Sequence, residues 1–304
     1  MRVLITGASG FSGYHLKRVL PSDWHITGLD FRPDENNTTI LCDITRAGDV
    51  RQAVRAVMPD MVFHLAGVTP ASKPDDEVYY AVNVDGTRHL FNAIREFVPE
   101  ARVLLVTSSA IYGNAAEIDE QTPLKPVNAY GVSKAAQSLL GYQFVVQHGL
   151  HIVRCCPFNL IGWGLPSGSA ASDFASQLAA IKAGNQEPEI TVGNLNTFRD
   201  FLDAQDAVRA YFLLIQHGTP GETYNAASGQ AVSIQSLLDE LLDLSELENI
   251  RIKPGAFARK PVLVQTQSGS SERLRSATGW EPQVSLRQSL KNTLDYYMEK
   301  AFVR

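Results

Sequence analysis

Tyr130 and Lys134 place a phenol and an ammonium four residues apart, in a segment whose apolar spacing predicts a helix over 129–148. Side chains at that spacing share one helix face. A nearby cation stabilises phenolate, so we predict that Lys134 lowers the pKa of Tyr130 from its ordinary value of about 10. The phenol would then exchange a proton near neutral pH, as a general acid or base does. The alternative is a chance pair on a solvated helix face.

Ser108 follows an apolar run that predicts a strand over 103–107. Ligands of open α/β folds bind at the carboxyl ends of the strands, where this hydroxyl would lie. The alternative for Ser108 is a hydroxyl that caps a turn.

A glycine-rich turn, TGASGFSG, occupies 6–13 between the first predicted strand and the first predicted helix. Gly7, Gly10 and Gly13 let backbone N–H groups approach a pyrophosphate at the positive end of the helix. The second predicted strand closes with Asp30, whose carboxylate suits the hydroxyls of an adenosine ribose. The pattern predicts NAD as the cofactor, and Arg32 leaves NADP possible because it would attract a 2'-phosphate. The alternative is a structural turn followed by a solvated aspartate.

The elements that must position these residues alternate along the first half of the chain. Runs that are apolar along their whole length indicate strands buried on both faces of a parallel sheet. The sequence therefore predicts an α/β fold with a doubly wound parallel sheet of the Rossmann type. The predicted strands cover 3–6, 26–29, 40–42, 61–65, 103–107 and 152–155, and the helices cover 13–20, 47–57, 78–97 and 129–148.

The alternation weakens after about residue 158, where loops rich in Gly, Ser and Pro separate helices predicted over 174–183 and 204–216. This change indicates a smaller C-terminal lobe for the substrate. We predict a dinucleotide-binding domain over 1–158 and a region over 159–304 that is mainly substrate lobe, with some segments returning to the Rossmann core.

Composition excludes several classes of protein. The 304 residues include 27 basic and 32 acidic ones, spread without a long run of one sign, which disfavours a nucleic-acid surface. No apolar stretch approaches the roughly 20 residues that a membrane span needs, so we expect a cytoplasmic protein without a membrane partner. Cys42, Cys155 and Cys156 fit neither a disulfide framework nor a metal-ligand spacing. We interpret them as buried apolar residues and expect no metal site.

Five motifs in order resemble the extended short-chain dehydrogenase/reductases, the NAD-dependent epimerase/dehydratase family. They lie at 6–13, 64–67 (HLAG), 83–87 (NVDGT), 108–113 (SSAIYG) and 130–134 (YGVSK). The resemblance implies that Ser108, Tyr130 and Lys134 form the catalytic group, and that His64 serves packing. It also implies cofactor contacts at Phe11, Ser12, Asp43, Ile44, Leu65, Ala66, Gly67, Asn83, Tyr130, Lys134 and Pro157.

The resemblance continues through 157–162, 192–206, 220–229 and 278–282, and so covers nearly the whole chain. The stretch 192–206 is similar to the nucleotide-binding region of the branch that acts on derivatives of GDP-mannose. The implied activity is reduction of a 4-keto-6-deoxy nucleotide sugar, from GDP-4-keto-6-deoxymannose to GDP-rhamnose. The implied substrate contacts are Ser109, Asn159, Arg199 and Arg259; for Arg259 a surface role is the alternative. Arginine suits such contacts because its guanidinium holds phosphate oxygens with two hydrogen bonds.

One departure from the family pattern narrows the chemistry. Ala110 lies two positions before Tyr112, where the dehydratases of the family carry an acid. Loss of water then lacks its proton-transfer group, which disfavours a dehydratase. A reductase and a 4-epimerase that retains NAD remain, and a non-catalytic dinucleotide sensor is the third hypothesis. Helices over 78–97 and 129–148 resemble those that pair in dimers of the family, so we expect a homodimer.

Overall fold

The computed structural model describes residues 1–33, 38–72, 74–255 and 263–302. Strands and helices alternate along its first half, as β1 (Arg2–Thr6), α1 (Phe11–Val19), β2 (His25–Asp30), β3 (Thr39–Leu41), α2 (Ala47–Val57), β4 (Met61–His64), α3 (Asp76–Tyr79), α4 (Gly86–Phe97), β5 (Arg102–Val106), β6 (Glu117–Ile118), α5 (Ala129–His148) and β7 (Ile152–Pro157).

In the described part of the second half, shorter strands alternate with four longer helices and one short helix. Its elements are β8 (Asn159–Ile161), α6 (Ala170–Lys182), β9 (Glu189–Val192), β10 (Phe198–Asp203), α7 (Ala204–His217), β11 (Thr223–Ala226), β12 (Ala231–Ser233), α8 (Ile234–Ser245), β13 (Arg251–Pro254), β14 (Thr266–Gly269), α9 (Glu272–Thr278) and α10 (Leu286–Phe302).

The main sheet has seven parallel strands in the order β11-β7-β5-β4-β1-β2-β3. The chain builds outward from β1 to β3, then returns to β4 on the other side of β1 and builds outward again. This order confirms the predicted doubly wound parallel sheet. The direction of building reverses between β1 and β4, and ligands of such folds bind at the carboxyl ends of the strands that flank this point.

Apolar layers cover both faces of the main sheet, because successive side chains of a strand point to opposite faces. Val3 and Ile5 of β1 belong to a buried cluster with Leu16 of α1. Leu4 belongs to the opposite cluster with Leu90 of α4. All five are completely buried. The free cysteines Cys42, Cys155 and Cys156 are also buried, which confirms their interpretation as apolar residues.

A second sheet and a helical cluster form the rest of the structure. The sheet has the order β12-β10-β14-β6, with β8 paired to β10, and β13 pairs separately with β9. A third apolar core joins α6, α8 and α10. Segments cross between the two halves: β6 joins the second sheet, whereas β11 joins the main one. The division at residue 158 stays a prediction.

The helix predicted over 78–97 is interrupted. Between α3 and α4 the chain forms a π-helical segment, Tyr80–Asp85, which contains the fully buried Asn83. Such wider turns are frequent at functional sites. In the part of the chain that the structure describes, no helix has the length and apolar character to cross a membrane.

Candidate active site

The glycine-rich turn follows β1 at the carboxyl edge of the main sheet. Gly7 has φ of +70°, and a Cβ there would lie 2.8 Å from the backbone nitrogen of Ala66. Its own N–H donates to the Leu29 carbonyl at 2.9 Å. α1 then begins at Phe11 after Gly10, which makes no side-chain cap. The turn therefore presents the free N–H groups of a helix start, as a pyrophosphate site requires.

Asp30 ends β2 beside this turn and is 9% exposed. Its carboxylate accepts hydrogen bonds from the backbone N–H groups of Ser9 at 3.1 Å and Arg32 at 3.3 Å. The Arg32 guanidinium lies over the Phe31 ring, 4.7 Å from its centroid. The Asp30 carboxylate is held in place at the end of β2, and glycines let the backbone of the turn come close to a ligand. Together these features fit a dinucleotide cofactor.

The other predicted cofactor residues lie along the same edge. Asp43 accepts two hydrogen bonds from Thr45, which lower the pKa of its carboxyl group. The amide of Asn83 accepts from Val68 N–H at 2.9 Å and donates to Ser133 Oγ at 2.9 Å. Asn83 is completely buried, and its amide joins the segment after β4 to α5. Pro157 is the last residue of β7.

Tyr130 lies in the first turn of α5, which Asn128 caps by accepting a hydrogen bond from Gly131 N–H at 2.8 Å. The prediction that Lys134 lowers the pKa of Tyr130 below its ordinary value is wrong. Burial raises the pKa of Tyr130 to about 12, and the neighbouring Ser108 hydroxyl opposes this rise. The phenol therefore keeps its proton at neutral pH, which is the form that a proton donor needs.

Lys134 is 4% exposed and lies one helical turn after Tyr130. Its Nζ donates to the Val106 carbonyl at 3.1 Å and to Gln137 Oε1 at 2.8 Å. A Cβ on Gly67 would lie 3.2 Å from this Nζ, so the segment after β4 passes directly over the ammonium. Burial lowers the pKa of Lys134 to about 8, which leaves it mainly charged at neutral pH. Ser108, Tyr130 and Lys134 thus meet at the edge where the cofactor turn lies.

A cavity of about 900 Å³ lies between β8, α6, β9 and β10, and both Asn159 and Arg199 line it. Asn159 Nδ2 donates to the Asp200 carbonyl at 2.9 Å. The Arg199 guanidinium donates to backbone carbonyls, among them those of Phe198 and Val264, each at 2.8 Å. Burial lowers its pKa from the ordinary 12.5, and it still carries a positive charge into the cavity.

One predicted substrate residue, Ser109, is not among the residues that line this cavity. Ser109 is 5% exposed, and its hydroxyl donates to Gln267 Oε1 at 3.2 Å, which ties the turn after β5 to β14. Arg259 lies outside the described residues. No group of three His, Cys, Asp or Glu within the described ranges is placed to hold a metal ion.

Sequence reasoning missed two buried residues of the site. Asp200 accepts hydrogen bonds from the N–H groups of Ser228, Gly229 and Gly269, and so holds the loops beside Arg199. Its position next to Arg199 was the available signal. Gln137 binds Lys134, and the spacing of three residues on a predicted helix was its signal.

The family model of the NAD dependent epimerase/dehydratase family matches residues 3–227, and the chain belongs to this family of extended short-chain dehydrogenase/reductases. It is 33% identical over 302 residues to the GDP-6-deoxy-D-mannose reductase of Pseudomonas aeruginosa, with 96% of each chain covered. It is 28% identical over 248 residues to the GDP-6-deoxy-D-talose 4-dehydrogenase of Aggregatibacter actinomycetemcomitans, covering 81% of this chain and 80% of the relative.

Among solved structures, the RMD protein of Pseudomonas aeruginosa in complex with NADPH superposes with a TM-score of 0.88 at 30% identity, covering 99% of this chain and 100% of that one. The UDP-glucose 4-epimerase of Thermus thermophilus, at 21% identity and a TM-score of 0.85, shares the fold. The family match and the likeness to the Pseudomonas aeruginosa reductase confirm the family predicted from the five motifs.

Proposed function

We propose that this protein is a nicotinamide-dependent reductase that converts GDP-4-keto-6-deoxymannose to GDP-rhamnose. The observation that carries the proposal is the group of Ser108, a protonated Tyr130 and a charged Lys134 at the sheet edge that holds the cofactor turn. The substrate is supported by the likeness, over 96% of the chain, to the Pseudomonas aeruginosa GDP-6-deoxy-D-mannose reductase.

In the proposed reaction the C=O double bond of the sugar becomes a C–OH single bond. When bound, the reduced nicotinamide cofactor supplies the hydride for the carbonyl carbon. Tyr130 donates its phenolic proton to the carbonyl oxygen, and Ser108 donates a hydrogen bond to the same oxygen. The Lys134 ammonium stabilises the phenolate that remains. The high pKa of Tyr130 keeps its proton in place until the carbonyl oxygen becomes negative.

The turn over 6–13 and Asp30 would hold the cofactor. The Asp30 carboxylate would accept from ribose hydroxyls and repel a 2'-phosphate, which supports NAD. Arg32 supports NADP as the alternative, as does the NADPH bound to the Pseudomonas aeruginosa relative.

The cavity of about 900 Å³ would hold the nucleotide sugar. Asn159 and Arg199 line it from adjacent paired strands and would bind the diphosphate. Ser109 would act through the turn that it anchors, and Arg259 stays a predicted second phosphate contact.

An assay with GDP-4-keto-6-deoxymannose and either NADH or NADPH tests the proposal, with nicotinamide absorbance followed and the sugar product identified. We expect one cofactor oxidised for each 4-hydroxy sugar formed. Absence of oxidation despite cofactor binding would contradict the reductase. In a parallel assay with 4-hydroxy nucleotide sugars, formation of the 4-epimer without net change of the cofactor would identify an epimerase, which Ala110 in place of an acid also allows. Binding without turnover of any nucleotide sugar would indicate a sensor.

We also propose a homodimer. The side chains of Leu139, Tyr142 and Val146 on α5 are 55%, 50% and 68% exposed, and they recur along one side of the helix. A Leu139→Glu, Val146→Glu variant should sediment as a monomer, whereas Ile252→Glu on β13, also an exposed apolar position, should not change the mass. A monomeric wild-type chain would contradict the dimer. A cytoplasmic location stays a prediction from the sequence.

A further inference from the structure

A chain of buried polar side chains runs beneath the active site. His64 Nδ1 lies 2.7 Å from Thr6 Oγ1, and His64 Nε2 lies 2.8 Å from Thr87 Oγ1. Gln137 Nε2 donates to the same Thr87 oxygen at 2.8 Å, and Gln137 Oε1 accepts from Lys134 Nζ at 2.8 Å. The exposed fraction is zero for the first four residues and 4% for Lys134. Hydrogen bonds therefore join the ammonium to β1 through four side chains.

The direction of each hydrogen bond follows from the backbone at the two ends. The Thr87 hydroxyl donates to the Asn83 carbonyl at 2.6 Å, so Thr87 Oγ1 is an acceptor toward His64 Nε2. His64 is neutral, because burial lowers its pKa to about 3, and its Nδ1 therefore accepts from Thr6. Thr6 Oγ1 in turn accepts from Ala66 N–H at 3.1 Å.

The donor and acceptor roles of Thr87 also determine the orientation of the Gln137 amide. Because Thr87 Oγ1 is an acceptor, the NH₂ group of Gln137 faces Thr87 and its carbonyl oxygen faces Lys134. Lysine carries three N–H donors. Val106 O and Gln137 Oε1 take two of them, and within the described residues these are the hydrogen bonds of Nζ, so one donor is left for the active site.

No anion balances the buried ammonium among the titratable groups of the described elements around it. Tyr130 on α5 has a pKa raised by burial to about 12, and so has Cys156 on β7, so both are protonated at neutral pH. His64 on β4 is neutral. The charge of Lys134 therefore depends on the carbonyl oxygens that accept from it.

We propose that Gln137 is a positioning residue of the reaction, which keeps Lys134 charged and leaves its remaining N–H for the active site. This inference rests on the proposed function, in which the ammonium stabilises the Tyr130 phenolate. Gln137 itself touches neither the substrate nor the reacting atoms, and the buried chain through Thr87 and His64 holds its amide in the required orientation.

The test is a direct titration of Lys134 by NMR of ¹³Cε-lysine-labelled protein, with its signal assigned from Lys134→Met. We expect Gln137→Met to lower the Lys134 pKa by about one unit and Gln137→Glu to raise it by about as much. The alkaline limb of the kcat profile should move to lower pH in the first variant and to higher pH in the second. Gln52→Met, at an exposed glutamine of α2, is the matched control and should move neither.

An unchanged Lys134 pKa in both variants would overturn the proposal, as would a loss of thermal stability alone, which indicates a merely structural residue. If Gln137→Met fails to fold, the Lys134 pKa in Gln137→Glu decides: a rise supports the proposal, and no change or a fall overturns it. If the wild-type protein reduces no keto sugar, the proposed function fails, whereas the NMR titration still decides whether Gln137 sets the charge of Lys134.

Discussion

The surroundings of Lys134 and those of Arg199 differ in how deeply they are buried and in how much space they leave around the side chain. The ammonium lies among side chains that are completely buried, and each polar atom along the chain to Thr6 has a defined partner. The guanidinium lines an open cavity of about 900 Å³ and is fixed mainly by backbone carbonyls. The buried surroundings of Lys134, here called the rigid region, hold one arrangement. The cavity around Arg199, here called the open region, leaves room for a large ligand.

The difference reflects the elements that supply each region. Thr6 and His64 are register partners on adjacent parallel strands, so the sheet itself sets their separation. The cavity is lined by short strands, the start of α6 and the loops between them. Rigid elements suit proton transfer, which demands accurate distances, and loops suit the recognition of a particular ligand. In the proposed function, the chemistry would therefore take place where α5 packs on the main sheet, and the second half would select the substrate.

The largest expected effect is that of removing the proton donor from the rigid region. Tyr130→Phe should lower kcat by about 10²–10⁴-fold, because it deletes the general acid. Cofactor affinity, measured by fluorescence titration, should stay unchanged. Tyr296→Phe on α10 is the control, and retained turnover in the Tyr130 variant would remove the phenol from the mechanism.

A second experiment tests how completely the rigid region is buried. The pKa of His64 is about 3 in the folded protein and 6.5 ordinarily, so between these values the unfolded chain binds the extra proton. His64 therefore does not reduce the free energy of unfolding above about pH 6.5, and reduces it increasingly as the pH falls below that value. Between pH 7 and pH 5 the loss is about 2 kcal/mol. Urea unfolding at the two pH values should show this loss in the wild type and in His25→Gln, an exposed control.

On acidification the His64→Gln variant should lose about 2 kcal/mol less stability than the wild type, since glutamine does not titrate. It should also start from a lower stability at pH 7, because the hydrogen bonds of Thr6 and Thr87 are disturbed. An equal loss on acidification in wild type and variant would mean that the imidazole is accessible to protons in the folded state.

A smaller effect is expected in the open region. Arg199→Lys should raise KM for the nucleotide sugar about tenfold with little change in kcat, because an ammonium cannot reproduce the planar two-pronged contact to phosphate. Arg251→Lys, at an exposed arginine of β13, should behave as the wild type. A change in kcat at constant KM would mean that Arg199 takes part in the chemical step and not in substrate binding.

The smallest effect concerns the cofactor edge. Asp30→Asn should shift the ratio of KM values for NADH and NADPH by about three- to tenfold toward NADPH, because it removes the charge that repels a 2'-phosphate. Arg32→Ala should shift the ratio the opposite way. An equal ratio of KM values in the wild type and both variants would mean that neither side chain distinguishes a ribose hydroxyl from a 2'-phosphate.

Much of the main sheet was predictable because its signals are local. Short apolar runs, glycines at a strand end and the Tyr130–Lys134 spacing each depend on neighbouring residues, and parallel topology then brings strand ends to one edge. The exchange of β6 and β11 between the two sheets carries no such signal, since each strand is short and pairs with a distant partner. Ser109 shows the same limit, because its partner Gln267 is 158 positions away.

The sequence by itself determined the family, the order of elements around the cofactor turn, and the residue types that can transfer a proton. Only the tertiary structure decided their protonation and polarity. Tyr130 keeps its proton because burial raises its pKa to about 12. Lys134 is oriented by Gln137, whose own amide is set by Thr87 and His64 from other elements. Desolvation and hydrogen-bond direction depend on everything packed around a group, and local sequence does not contain that information.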